Sequence, residues 1–358
     1  MRHLDIARWR LRTQHLVEPH ARTAADVVGA LLAVQAENPS QSAWAVAART
    51  AAPDPADLAR LLADGSVVRT HVLRPTWHYV AADDVAWLIE LTAPRVRRTT
   101  EPQLRTLHRM DDRSVDRASS VVLESLQQAD LTRTELAARL AEAGYEVEPH
   151  ALAILLAELE LQTLICSGPP ARDGTHTYAL FADRIPSPRR LERGEALAEL
   201  ALRYFTGHGP ATERDLAYWA TLALGDVRAG LAQVADRLDS FEHDGRTFWH
   251  APVDPPATRC SPAGHLLQIL DETYRGYQDS RWVLDAAGIV PRTREAAAGM
   301  ALVDAQLVAA MKRTVTAHSV AFELRPYRSL AADDVAALEA AALRYGTFLG
   351  RAAMLDIR

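Results

Sequence analysis

The sequence predicts a mainly α-helical protein with small β hairpins, an α+β fold made of three repeated units and a C-terminal element. Three observations support this prediction. Helical segments followed by two short β-prone runs recur three times along the chain, which indicates an internal repeat. The chain has 358 residues, 48% of them hydrophobic, which is enough for two or three domains with their own cores. Clusters of Gly, Pro and Asp separate the β-prone runs and are typical of turns.

The first unit, residues 1–94, opens with a predicted helix at 5–11, followed by a helix whose N-cap is Thr23. A second helix of the repeat opens at Ser40, and a third follows it. An apolar strand pair, ending at residues 76–80, closes the unit. Three helices followed by a short hairpin are the plan of a winged-helix domain.

Two polar residues lie where the helix capped by Thr23 is predicted to end. The helix that begins at Thr23 should stop near residue 36 or 37, because Pro39 disfavours helical geometry in the residue before it. Gln35 and Glu37 are therefore expected at its C-terminal end. Residues i and i+2 face different sides of a continuing helix, but at an unwinding end both could turn into one cleft. The alternative is an ordinary helix end with two solvated side chains.

The second and third units, residues 95–190 and 191–258, repeat this plan. Thr132, with Glu135 three residues later, predicts a capping box at a helix start. An Asp-Gly pair at 244–245 predicts a tight hairpin turn in the third unit. The predicted helices of the two units are 118–128, 131–140, 149–161, 195–205, 209–219 and 224–238. The sequence therefore predicts three tandem winged-helix units.

The last part of the chain, residues 259–358, has a different pattern. Strands are predicted at 301–308 and 319–324, and a closing helix at 333–346, with Gly346 as its C-cap. We expect a small C-terminal α+β element whose strands are mostly antiparallel.

The charge balance bears on binding to nucleic acid. The formal net charge is −6 and the pI is about 6.1. A protein that binds nucleic acid over much of its surface normally has an excess of basic residues, which this chain lacks. A local basic groove is still compatible with this balance, because charges act over a Debye length of about 8–10 Å. Residues 95–117 hold seven arginines against four carboxylates, which we interpret as a phosphate-contacting surface; a solvated helix and linker is the alternative. The candidate DNA contacts there are Arg95, Arg97, Arg98 and Arg105.

Cysteine usage and hydropathy bear on cofactor and compartment. Cys166 and Cys260 are far apart and no Cys-x-x-Cys spacing occurs, so we expect two buried thiols in a reducing cytoplasm. The first residues lack the apolar core of a signal peptide, and no apolar run approaches the roughly 18 residues of a membrane span. We therefore predict a cytoplasmic, nucleoid-associated protein with no metal, no cofactor and no membrane partner.

Polar residues stand among apolar ones in three stretches of the chain that matter for function. These stretches are Gln35-Ala36-Glu37, Thr76-Trp77-His78 and the run from His265 to Arg281. In these stretches, and over nearly its whole length, the sequence resembles the AlkZ-like (YcaQ-like) DNA glycosylases, a family of tandem winged-helix proteins. The family carries Gln-x-Gln or Gln-x-Asp at the first stretch. Here the second residue is Glu, which keeps a carboxylate but lengthens it by one methylene. In the third stretch Gln268 and Thr273 replace a proline and an aromatic residue of the family pattern.

The resemblance implies that Gln35 and Glu37 are the catalytic pair. It also implies that Thr76 and His78 form a wall of the active-site cleft. The two residues are two apart on a predicted strand, so their side chains share one face. A purely structural role is the alternative for the histidine.

Four further residues are candidates with ordinary structural alternatives. His265 and Asp271 are candidates for the cleft wall, and Asp271 is equally suited to cap a helix. Arg69 and Arg74 flank the predicted strand pair and are candidates for DNA contacts, although surface arginines without such a role are common.

The resemblance implies a DNA glycosylase that hydrolyses the N-glycosidic bond of alkylated purines in double-stranded DNA, in repair or in self-resistance to an alkylating agent. Alkylation at N7 or N3 makes the base cationic, so the enzyme must supply a positioned water and negative charge beside the sugar. Glu37 suits the general base, and Gln35 can hold the same water as donor and acceptor. No lysine lies near this motif, which favours a monofunctional glycosylase over a Schiff-base lyase. We expect a monomer.

The alternative from another class is a non-catalytic winged-helix DNA-binding protein or regulator. A regulator needs a basic third helix for the major groove. Neither third helix is basic: the segment 149–161 carries two carboxylates and no arginine, and in 224–238 two carboxylates offset two arginines, which favours the enzyme. A family member without activity is the third possibility.

Overall fold

The computed structural model describes residues 1–256, 263–291 and 299–358. Over these residues, helices alternate with four small sheets, which confirms the predicted mixed α+β fold. Cys166 is a free, buried thiol, and Cys260 lies outside the described residues. None of the described helices is both long and apolar enough to cross a membrane.

The first unit combines helices with a three-stranded sheet. Its elements are α1 (His3–Thr13), α2 (Ala24–Leu31), β1 (Ala33–Gln35), α3 (Pro39–Ala47), α4 (Pro55–Asp64), β2 (Val67–Val72) and β3 (Arg74–Ala81). Thr23 caps α2 as predicted, because its Oγ1 accepts the Asp26 N–H at 3.1 Å. The strands pair antiparallel in the order β1-β3-β2.

Helix α2 ends earlier than predicted, and the prediction that Gln35 lies at a helix end is wrong. Leu32, with a φ of +64°, breaks the helix, and the chain enters β1 at Ala33. Gln35 pairs with His78 on β3. Because this partner strand comes much later in the chain, the local apolar periodicity could not reveal the pairing.

The second unit repeats the element order of the first. A long helix, α5 (Ala82–Thr106), connects the two units. The elements that follow are α6 (Asp112–Leu126), β4 (Leu131–Thr132), α7 (Arg133–Glu142), α8 (Pro149–Leu161), β5 (Ile165–Ser167), β6 (Thr177–Leu180) and α9 (Phe181–Arg184). The predicted capping box is confirmed, since the Thr132 N–H donates to Glu135 at 2.7 Å. The strand order β4-β6-β5 matches that of the first sheet.

The third unit has the same order with a reduced sheet. Its elements are α10 (Arg193–His208), α11 (Glu213–Trp219), α12 (Leu224–Ala232), a 3₁₀ turn (Ala235–Arg237), β7 (Asp239–His243) and β8 (Arg246–His250). A bridge between Ala211 and Trp249 takes the place of the first strand. The hairpin turns at Asp244 and Gly245 as predicted, but α12 is shorter than the predicted helix, because the 3₁₀ turn follows it. The threefold element order is compatible with three winged-helix units.

The C-terminal element contains a five-stranded sheet. Its elements are β9 (Gly264–Leu267), α13 (Glu272–Arg275), α14 (Arg281–Leu284), β10 (Gly299–Val303), β11 (Gln306–Val315), β12 (Ser319–Pro326), α15 (Ala332–Leu349) and β13 (Ala352–Ile357). All neighbours in the order β13-β12-β11-β10-β9 are antiparallel except β12 and β13. The predicted C-cap Gly346 is wrong: Gly350, with a φ of +63°, ends α15. A Cβ on Gly346 would lie 2.8 Å from the Ala353 Cβ, so this glycine lets α15 approach β13.

The first and third units share one hydrophobic core. Val68 and Val80 of the first sheet belong to the same buried cluster as Tyr204 and Trp219 of the third unit. Helix α10 lies so close to α2 that a Cβ on Gly207 would be 2.1 Å from a backbone oxygen of α2. This close packing places the third unit against the part of the first unit that holds β1.

Candidate active site

Gln35 belongs to a row of three polar side chains on one face of the first sheet. It pairs with His78 on β3, and His78 pairs with Thr70 on β2; directly paired residues of antiparallel strands share a face. Gln35 is 3% exposed, and Thr70 and His78 are 0% exposed. His78 Nε2 and Thr70 Oγ1 have no hydrogen-bond partner among the described residues. Buried polar atoms without a hydrogen-bond partner are rare in protein interiors, so this row is a candidate functional site.

The two residues predicted to form a cleft wall share this face. Thr76 lies two residues from His78 on β3, and its carbonyl oxygen lies 3.0 Å from His78 Nδ1. Burial lowers the pKa of His78 to about 3, and the positive charge of Arg74 adds to this shift. The imidazole is therefore neutral near neutral pH, so His78 is suited to hydrogen bonding rather than to supplying a charge.

Glu37 lies just beyond the end of β1. The Ala36 N–H donates to the Trp77 carbonyl at 2.7 Å, which extends the pairing with β3 by one residue. The Gln-x-Glu spacing therefore matches the two-residue repeat of a strand and not an unwinding helix. The Glu37 N–H donates to Gln35 Oε1 at 3.4 Å, and the Trp77 N–H donates to Glu37 Oε2 at 3.2 Å. Gln35 is buried and Glu37 is exposed, so the pair spans the boundary between interior and solvent.

Arg69 lies on the opposite face of the sheet, and its position does not agree with the predicted DNA contact. The residue is only 5% exposed. Its Nε donates to the Ala36 carbonyl at 2.9 Å, and its guanidinium carbon lies 4.1 Å from the Trp77 ring centre. Arg69 therefore fixes the backbone between Gln35 and Glu37.

Arg74 also points into the protein rather than to an open surface. Its Nη1 donates to the Arg275 carbonyl at 2.8 Å, and its guanidinium carbon lies 5.5 Å from the Tyr218 ring centre. Its Nε and Nη2 are buried and have no partner among the described residues. The predicted phosphate contact by Arg74 is therefore not supported by this position.

Asp271 is a helix cap, the second of its two predicted roles. Its Oδ1 accepts the Thr273 N–H at 2.9 Å at the start of α13. It also pairs with Arg49 at 2.7 Å, and both side chains are 0% exposed. This buried ion pair joins α13 to the end of α3, so Asp271 does not line an open cleft.

His265 is separated from the polar row on the first sheet. It lies on β9 and lines a cavity of about 480 Å³ together with His20, Asp304 and Arg344. Burial lowers its pKa to about 4, with a further contribution from Arg344. The described lining of this cavity does not include Gln35 or Glu37, so the predicted joint cleft wall is not found for His265.

Glu272 reaches the candidate site although the sequence analysis did not single it out. Its Oε1 accepts the Gln35 N–H at 3.0 Å. Its Oε2 accepts the Trp219 indole N–H at 2.9 Å and lies 3.4 Å from His208 Nε2. Burial raises the pKa of Glu272, but the hydrogen bond from His208 and the charge of Arg74 outweigh it and lower this pKa to about 2. The sequence signal for it is its place after Asp271 in the run from His265 to Arg281, where it is one of several polar residues.

The arginines predicted to contact DNA at 95–117 differ in their surroundings. Arg95, Arg98 and Arg105 are exposed. Arg97 is half-buried, and its Nε donates to Glu158 at 2.9 Å, where the Glu158 side chain is 4% exposed. Arg97 therefore joins α5 to α8, and this structural pairing, rather than the predicted phosphate contact, explains its position.

Among the residues that the structure describes, two groups of side chains have ligand atoms close enough together to hold a cation. In each group these atoms lie within 4.8 Å of one another. The groups are His3, His243 and Asp244, and His108, Glu148 and His150. Neither includes Gln35 or Glu37, so a cation bound there would lie outside the chemistry of that pair.

Comparison with known protein families identifies the class of enzyme to which the chain belongs. The family model of AlkZ-like DNA glycosylases matches residues 28–348, and the chain belongs to this family. DNA glycosylases hydrolyse N-glycosyl bonds, so the predicted enzyme class is confirmed.

One relative and one solved structure show how far the similarity extends. The chain is 28% identical over 252 residues to an interstrand DNA cross-link repair glycosylase of Streptomyces sahachiroi, covering 68% of this chain and 67% of the relative. The structure of the Streptomyces sahachiroi DNA glycosylase AlkZ matches with a TM-score of 0.75 and 22% identity, over 100% of this chain and 99% of that one. The structural match supports the fold.

Proposed function

We propose that this DNA glycosylase removes cationic purines alkylated at N7 or N3 from double-stranded DNA, including bulky adducts. The main support is the placement of Glu37: an exposed carboxylate that the Trp77 N–H holds at 3.2 Å, directly beside the buried Gln35. A carboxylate that is both fixed and open to water suits general-base chemistry. The relative named as a cross-link repair glycosylase supports a bulky substrate class.

In the proposed reaction, Glu37 accepts a proton from the attacking water as the N-glycosidic bond breaks. Its negative charge also faces the oxocarbenium-like sugar that develops at C1′. Gln35 orients the same water through its carboxamide, which both donates and accepts hydrogen bonds. The alkylated base leaves as a neutral molecule, because its positive charge is lost when the bond electrons move to the base. Thr76 and His78 form the neutral polar wall beside Gln35.

The proposed DNA contacts are the exposed arginines of α5. Arg95, Arg98 and Arg105 are exposed on this helix, whereas Arg69, Arg74 and Arg97 are engaged in the interior. A few such arginines suffice for salt-dependent phosphate binding despite the net charge of −6. We propose that the protein acts as a monomer on chromosomal DNA in the cytoplasm.

The test is base release from duplexes that carry either N7-methylguanine or a bulky N7 adduct. We expect the free modified base and an abasic strand that breaks only after alkali treatment, because the proposed chemistry has no Schiff-base step. Glu146→Ala serves as the matched control, since it removes an exposed glutamate from the second unit. Equal rates for wild type and the Glu37→Ala variant, or no release from either duplex, would contradict the proposal.

A further inference from the structure

Glu272 is a buried carboxylate that reaches from the C-terminal element into the first unit. Strand β1 is an edge strand, because the sheet order is β1-β3-β2. The Gln35 N–H points away from β3 and donates to Glu272 Oε1 at 3.0 Å. Glu272 therefore takes the place that a further strand would occupy at this residue.

The carboxylate is itself held in place from the other side. The Trp219 N–H and His208 lie at 2.9 and 3.4 Å from its Oε2, and Trp219, His208 and Glu272 are all 0% exposed. A Cβ on Gly276 would lie 2.9 Å from the His208 ring, so the glycine permits this close packing. Next to Glu272, the Asp271–Arg49 ion pair anchors the start of α13 on the first unit.

Burying an ionised carboxylate is costly unless donors compensate for lost water. Apolar side chains could join these elements with a smaller desolvation penalty, so packing does not explain why a carboxylate is used here. The donor that it satisfies in the first unit is the backbone of Gln35. On this basis, and resting on the proposed function, we infer that Glu272 is a positioning residue that acts through Gln35 and sets the direction of its carboxamide.

The first test is Glu272→Gln. Both Glu272 oxygens accept N–H groups, whereas a glutamine has one acceptor oxygen and an NH₂ group, so either Gln35 or Trp219 would face a donor. A displacement of reacting groups near 1 Å typically costs about 100-fold in rate, so we expect single-turnover excision to slow by about 10- to 100-fold. The affinity for the substrate duplex should not change, because Glu272 is fully buried.

A double-mutant cycle separates positioning from a general structural effect. If Glu272 acts through Gln35, the rate penalty of Glu272→Gln should be several-fold smaller in a Gln35→Ala background. Equal penalties in both backgrounds would overturn the inference. Glu158→Gln is the matched control: this carboxylate is also buried, pairs with Arg97 and lies in the second unit. It should lower stability without changing the excision rate of the folded protein.

Two further experiments test the inference if Glu272→Gln does not fold or if the substrate is not the expected one. If Glu272→Gln does not fold, Trp219→Phe removes the N–H donor to Oε2 and keeps an aromatic ring, and it should slow excision in the same Gln35-dependent way. Amide exchange at residues 33–37, measured by mass spectrometry, should be faster in Glu272→Gln than in Glu158→Gln whatever the substrate is. Unchanged amide exchange would contradict the inference about Glu272 and leave the proposed function untouched. Absence of base release by the wild type would contradict the proposed function and leave the exchange result untouched.

Discussion

Glu37→Gln is the most direct test of the proposed chemistry. The glutamine keeps the length of the side chain and an oxygen to accept the Trp77 N–H, which Glu37 now accepts at 3.2 Å. The residue is exposed, so the free energy of unfolding should change by no more than about 0.5 kcal/mol. Loss of a general base costs about 10²- to 10⁴-fold, or about 3–5 kcal/mol of transition-state stabilisation. We expect excision to slow within this range, with unchanged or slightly tighter DNA binding.

The assay is single-turnover excision with enzyme in excess, on N7-methylguanine and on a less labile adduct. The resemblance to proteins with a Gln-x-Gln motif leads us to expect the smaller loss on the more labile lesion. Gln35→Ala should cost less than Glu37→Ala, since it removes a positioning group and leaves the base. Wild-type rates on both substrates for Glu37→Ala, in a protein that is folded and bound to DNA, would refute the assignment of Glu37.

Three other outcomes follow from the structure. Glutamates at the exposed Arg95 and Arg98 should weaken duplex binding and reduce its salt dependence in a titration; unchanged binding and salt slope would show that this surface is misassigned. Arg49→Met leaves Asp271 buried without its partner and should lower the free energy of unfolding in urea by about 3–5 kcal/mol; a loss below about 1 kcal/mol would contradict this. The pKa of His78 is lowered to about 3 in the folded protein, whereas an unfolded histidine has a pKa of about 6.5. Between these two pH values the unfolded state binds a proton that the folded state does not, so the free energy of unfolding should fall as the pH drops from about 6.5 towards 3. His78→Leu should flatten that decline, and an unchanged slope would count against a neutral buried His78.

Features set by neighbouring residues could be read from the sequence. The helix starts at Thr23 and Thr132 follow from side-chain oxygens that bond amides three residues later. The hairpin at 244–245 follows from a residue pair that adopts positive φ. These signals, repeated along the chain, were enough to predict the α+β class and the threefold order of elements.

The surroundings of the candidate site depended on contacts between distant segments. Gln35 lies on a strand because β3 pairs with it, although the residues before it have helical periodicity. Arg69 and Arg97 looked like surface cations in the sequence, but each meets an acceptor from another element.

Glu272 gave almost no local signal, because its role depends on an amide 237 positions earlier in the chain. Local patterns determine which elements form, since their hydrogen bonds close within a few residues. Tertiary packing decides which face is buried and which polar groups meet, because a buried polar group must find its partner wherever the fold places one.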